Sequence, residues 1–171
     1  AALFAAFSLL LTACGAPATE QATQGSYATI TDDNGRTVTF DKKPERIVVT
    51  SASFLEPLYA VGGTVIGRPD SKSKIPEAAK SATNIGRVYQ IDAEKVLALT
   101  PDLVILNRGM NEKLVETLAA NNVKTLVLDM KSYADVKREI GIFATLTGEK
   151  AKGDELIQKM DADIEAVRSS I

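Results

Sequence analysis

The sequence predicts an α/β fold in which helices flank a mostly parallel sheet. Three observations carry this. Short, continuously apolar runs, Ile47-Val48-Val49, "DLVIL" at 102–106 and "KTLVLD" at 124–129, have the length of strands covered on both faces. Segments with apolar residues three and four apart stand between those runs. Gly62-Gly63, Pro101 and Gly148 close the helical segments.

The elements follow in order. Residues 1–11, "AALFAAFSLLL", are apolar except Ser8. The run is shorter than the roughly 20 residues of a spanning helix and matches the apolar region of a signal peptide. Cys14, the only cysteine, ends it. A lone cysteine makes no internal disulfide, and the chain has no histidine to act as its base. The polar, small-residue stretch after it reads as a flexible tether over 15–27 rather than part of a core helix. With no initiator Met and no basic residues ahead of the apolar run, the sequence reads as a gene fragment that begins inside its signal.

Residues 28–40 form two short strands around Asp33-Asn34-Gly35. Asp32 and Asp33 lack the distal glutamate of a calcium loop and read as turn residues. From residue 44 the pattern changes to an alternation of strands and helices that runs to 148. It comprises the strand at 47–49, a helix in "FLEPLYAVGG", and a second strand in "TVIG" at 64–67. A polar stretch with a short helix after Pro76 comes next. Then come a helix in "IDAEKVLALT" capped by Asp92, a third strand, a helix in "NEKLVETLAANN", a fourth strand, and a helix in which Tyr133, Val136, Ile140 and Phe143 share a face. Residues 149–171 are helical, with a narrow apolar stripe of Leu156, Met160, Ile164, Val167 and Ile171.

Open α/β sheets bind ligands at the carboxyl ends of their strands. Four segments take that position: 51–54, 68–71, 86–90 and 107–111. The net charge of −2, with both signs mixed, points to no nucleic acid. No phosphate-binding loop, nucleophile elbow or dinucleotide fingerprint is present. An enzyme would have to rely on paired carboxylates, and none stand on the ligand edge. A surface adhesion module is the third reading, and it has no need of four small polar loops at strand ends. Without histidine and with one cysteine, a resident transition-metal site is nearly excluded. No cofactor is expected, and any metal arrives with the ligand.

Two motifs carry a resemblance: "DDNGRTVTF…KPERIVVTSASFLEPLYAVG" at 32–62 and "IGRVYQIDAEKVLALTPDLVILNRGMNEKLVETL" at 85–118. They resemble the extracytoplasmic substrate-binding proteins of ABC importers for ferric siderophores, haem and cobalamin. The resemblance implies two α/β lobes joined by a long helix, with the ligand between them. This chain would supply the amino-terminal lobe at 28–148 and the start of the connecting helix at 149–171, without the second lobe. Leu11-Thr12-Ala13-Cys14 resembles a lipobox, which implies a lipid on Cys14 and an extracytoplasmic protein anchored to the membrane. The implied partners are a metal chelate, with a ferric siderophore ahead of haem and cobalamin, and a membrane permease.

In the family, the glutamate at the position of Glu94 pairs with permease arginines, and Glu56 also matches a family position. Each has a plainer role as a carboxylate at a helix start. Arg68, Arg87 and Arg108 lie on the ligand edge, where a guanidinium suits carboxylate or catecholate oxygens. Haem-binding members place a tyrosine directly after the loop glycine. Here that position is Arg87, and Tyr89 follows two residues later. Met110 can contact a macrocycle or fill a gap. Phe54 faces either the cleft or the core. Ser51 and Ser53 offer hydroxyls, without a base to make them nucleophiles.

Overall fold

The computed structural model describes residues 25–170. Signal residues 1–14, with Cys14, and tether residues 15–24 lie outside the described residues, as does Ile171. Strands β1 (Ala28–Thr31) and β2 (Thr37–Phe40) form the expected antiparallel hairpin, with Ala28 opposite Phe40 and Thr31 opposite Thr37. The main sheet contains β3 (Ile47–Val49), β4 (Gly67–Asp70), β5 (Thr83–Arg87), β6 (Gln90–Ile91), β7 (Leu103–Asn107) and β8 (Lys124–Leu128). Its spatial order is β6-β5-β4-β3-β7-β8, and every pairing is parallel except β5 with β6. The fold class is the one the apolar runs predict.

Among the described residues, four α-helices belong to the lobe, α1 (Leu55–Ala60), α2 (Ala93–Ala98), α3 (Leu114–Ala120) and α4 (Tyr133–Thr147), and α5 (Lys150–Ser169) follows it. Alternate residues of the central strands feed two cores. Ile47, Val49, Leu103 and Ile105 join the hairpin, α1 and α4, with Leu156, Ile157 and Met160 of α5 packed alongside. Val48, Val104, Leu106 and Val127 join Val96 of α2 and Leu118 of α3 on the other face. Burial on both faces is what continuous apolar strands require.

Local signals set the helix ends. The Asp92 carboxylate accepts from the Lys95 amide at 3.1 Å. Ser132 and Asp135 form a reciprocal capping box at the start of α4, and α4 stops at left-handed Gly148. Within α4, Gly141 has open space where a Cβ would stand. Gly141→Ala is expected to raise the unfolding free energy by about 0.5–1 kcal/mol, measured by urea titration.

Four elements differ from expectation. The second strand forms at 67–70 rather than 64–67. After α1, Gly63 N–H donates to the Leu58 carbonyl, so Thr64 and Val65 still belong to the turn, and the ladder opens with Ile66 N–H donating to Ile47 O. Gly67 then lies where Leu99, Val48 and Ile85 converge, with Leu99 Cδ1 only 2.7 Å from a Cβ built on it. β5 and β6 are additional, because "TNIGR" shows one buried apolar residue, Ile85, and no alternation to recognise. α3 begins at Leu114 rather than 111, since Asn111 and Glu112 instead shape the loop before it. No helix among the described residues is long and apolar enough to cross a membrane.

Candidate functional site

The parallel strands bring their carboxyl ends to one edge, and the four predicted segments meet there. Thr50, just past β3, donates its hydroxyl to Ile105 O at 3.3 Å and accepts from Asn107 N–H at 3.0 Å. Arg108 N–H donates to Leu128 O, which ties the end of β7 to that of β8. The buried Asn111 donates its side-chain amide to Val88 O. This contact links the loop after β7 to the β5–β6 turn, across the ends of β4 and β3.

The β5–β6 turn presents Arg87 and Tyr89. Gly86 makes it possible, with φ of +108°, and a Cβ there would sit 2.5 Å from Gln90 O. Arg87 Nη1 donates to Tyr89 Oη at 3.1 Å, and Tyr89 is 64% exposed. Asp70, Lys72, Arg87, Val88 and Tyr89 line an open recess of about 290 Å³. On the neighbouring loop Arg108 is exposed, its Nη1 4.0 Å from the Asp129 carboxylate, and Met110 is half exposed. Ser51 is buried, and its hydroxyl shares a 2.8 Å hydrogen bond with that of exposed Ser53.

Two candidate residues are corrected. Phe54 is fully buried and packs edge-on against Phe143, with ring centroids 6.3 Å apart. It anchors the start of α1 to α4 and does not reach the edge. Arg68 turns its guanidinium onto the Pro69, Ala79 and Lys80 carbonyls, closing the short 3-10 turn at 77–81. Its donors are spent on the fold.

The edge also contains residues outside the predicted segments. Asp129 follows β8 and accepts from Lys131 Nζ at 2.7 Å while facing Arg108. The signal was available: "LVLDMK" ends a strand just as the other four segments do. Glu94 and Glu56 lie in the first turns of α2 and α1, both exposed. Neither makes an ion pair among the described residues.

Residues 47–171 match the family described as Periplasmic binding protein. The chain belongs to that family. It is a family of binding proteins, not of enzymes. Among relatives, an uncharacterized ABC transporter substrate-binding lipoprotein of Bacillus subtilis, YvrC, is 27% identical over 94% of this chain and 54% of its own length. The Fe(3+) dicitrate-binding periplasmic protein FecB of Escherichia coli is 32% identical over 72% of this chain and 43% of its own length. Among solved structures, the iron uptake ABC transporter substrate-binding protein PiuA of Streptococcus pneumoniae superposes with a TM-score of 0.73 at 24% identity, covering 86% of this chain and 54% of its own. This chain thus spans about half the length of the periplasmic binding proteins it matches.

Proposed function

We propose that this chain is the ligand-capturing amino-terminal lobe of an extracytoplasmic ABC-importer binding protein, and that its ligand is an anionic ferric chelate of the siderophore class. The observation that carries this is the presentation of Arg87, Tyr89, Arg108 and Met110, all exposed, on the strand carboxyl edge of a Periplasmic binding protein domain. Guanidinium groups recognise carboxylate oxygens in paired, directional hydrogen bonds, and FecB, a relative, is named for a carboxylate chelate of iron. The metal belongs to the ligand, so the lobe needs to supply only charge, hydrogen bonds and apolar contact. Glu94 and Glu56 then serve as docking carboxylates for permease cations, a steered and salt-sensitive contact. The lipid on Cys14 holds the protein at the outer face of the membrane.

The test uses the protein expressed from its complete source gene without residues 1–14. Tyrosine fluorescence is followed during separate titrations with ferric dicitrate, ferric catecholate siderophores, haem and cobalamin. Saturable quenching by a ferric chelate is expected, with Arg87→Ala weakening it about 10- to 100-fold through the loss of a charge-assisted hydrogen bond. Binding of haem or cobalamin alone would keep the importer reading and discard the siderophore. Binding of none would discard the ligand class.

A further inference from the structure

β8 is the last strand of the main sheet, and among the described residues no strand covers its outer edge. Such an edge presents a row of backbone donors and acceptors ready to pair with another chain. Here the row is occupied by the turn between β1 and β2. Asp33 N–H donates to Val127 O at 2.9 Å. Val127 N–H donates to the Asp32 carboxylate at 3.1 Å, and Asp129 N–H to the Asp33 carboxylate at 2.7 Å. Arg36 Nη2 donates to Thr125 O at 3.3 Å, and its Nη1 to Thr125 Oγ1 at 3.1 Å. The outward groups of alternate residues 125, 127 and 129 thus meet partners drawn from one five-residue turn.

The turn is itself held rigid. Asp32 also accepts from the amides of Asn34 and Arg36 and from the Arg36 guanidinium. Asp33 is clamped by Arg138 of α4, with Nη1 2.6 Å from one oxygen and Nη2 2.9 Å from the other. Asp32 is therefore neutralised by an arginine of the same turn, and Asp33 by one from α4. A turn that served only to reverse the chain would not need two buried or half-buried ion pairs aimed at a strand 95 residues away.

We propose that the Asp32–Arg36 turn is a side-chain surrogate for a missing strand, and that its release exposes β8 to antiparallel pairing with β8 of a second copy of this chain. The second copy fits because the exposed groups are self-complementary. With a two-fold axis through Val127, the Val127 N–H and C=O of one copy meet those of the other, and Thr125 O meets Asp129 N–H of the other. These are the same four backbone groups that the turn now occupies.

The test compares the parent chain with the double variant Asp32→Asn, Asp33→Ala by sedimentation velocity, with folding checked by circular dichroism. The first change replaces one of the two Asp32 oxygens by an amide donor, so that either Val127 N–H or the Asn34 and Arg36 amides that shape the turn lose their acceptor. The second removes the acceptor for Asp129 N–H. The variant is expected to gain a concentration-dependent dimer at concentrations on the order of 100 µM, and adding Val127→Pro, which deletes the outward donor at the two-fold axis, is expected to abolish the gain. A folded variant that shows no association beyond the parent overturns the proposal, as does a dimer that Val127→Pro leaves intact. Should a variant fail to fold, amide hydrogen exchange in the parent decides. The Val127 and Asp129 amides, which donate to side chains of the turn and not to β7, are expected to be protected at least about a hundredfold. Exchange at the rate of an open edge would overturn the surrogate.

Discussion

Replacing Glu139 by methionine is expected to stabilise the protein and to remove most of its stability change between pH 5 and 8. Glu139 lies on the inner face of α4 with no solvent exposure, and neither carboxylate oxygen has a hydrogen-bond partner. Burial is the largest influence and pushes its pKa from 4.5 up to about 8. Arg138 opposes the shift, while Asp33, Asp135 and Asp129 reinforce it. The sign follows from proton counting. Between 4.5 and 8 the folded chain holds this proton and the unfolded chain has released it. Stability therefore falls as pH rises, by about 1.4 kcal/mol per unit, and the full penalty is reached above the folded pKa. At neutral pH the loss is about 3 kcal/mol. Methionine is close in volume and needs no hydrogen bond. The chain has no histidine, so no other side chain of ordinary pKa titrates in this window. Urea unfolding at pH 5 and pH 8 would check the expectation. An equal pH dependence in parent and variant would show that Glu139 is not held neutral.

Gly86→Ala is expected to have the second largest effect, in the opposite direction. A residue with a side chain is strained at φ of +108°, and its Cβ would meet Gln90 O at 2.5 Å, a backbone atom with no freedom to rotate away. The combined strain and overlap cost about 2–4 kcal/mol. Relief comes most easily by opening β6, which has two residues and only one strand neighbour. The β5–β6 turn would then lose the geometry that presents Arg87 and Tyr89, while the core of β3, β7 and β8 persists. Urea unfolding gives the stability change, and exchange at the Asp92 amide, which donates to Ile85 O, locates it. A variant within 0.5 kcal/mol of the parent, with unchanged exchange, would mean that the turn tolerates a Cβ.

Both predictions fall where the sequence alone was least informative. Glu139 belongs to the "KREIGIF" segment, and nothing local distinguishes it from an exposed helical glutamate. Its neighbours Ile140 and Phe143 carry the apolar period, and the helix packs so that the adjacent position is covered as well. Gly86 stands in a loop motif that was legible, but the strand it ends was not. Ile85 alone marks β5, and an edge strand beside a two-residue partner needs few apolar residues to hold it. Arg68 and Arg87 look alike as loop arginines in a polar sequence. One is consumed by carbonyls about a dozen residues later and the other faces solvent.

What the sequence by itself determined was the order and type of most elements, the faces of the helices, the cap at Asp92, the stop at Gly148, and the edge on which a ligand site would lie. These depend on residues within one or two turns of each other, where period and capping act directly. Tertiary structure alone decided that β4 begins at Gly67, that Phe54 belongs to the core, that Glu139 is buried without a partner, and that the Asp32–Arg36 turn closes the edge of β8. Each of these depends on atoms far away in the chain, such as the 95 positions between Asp32 and Val127. Burial and hydrogen-bond partnership at that range are properties of the packed lobe, and no local pattern encodes them.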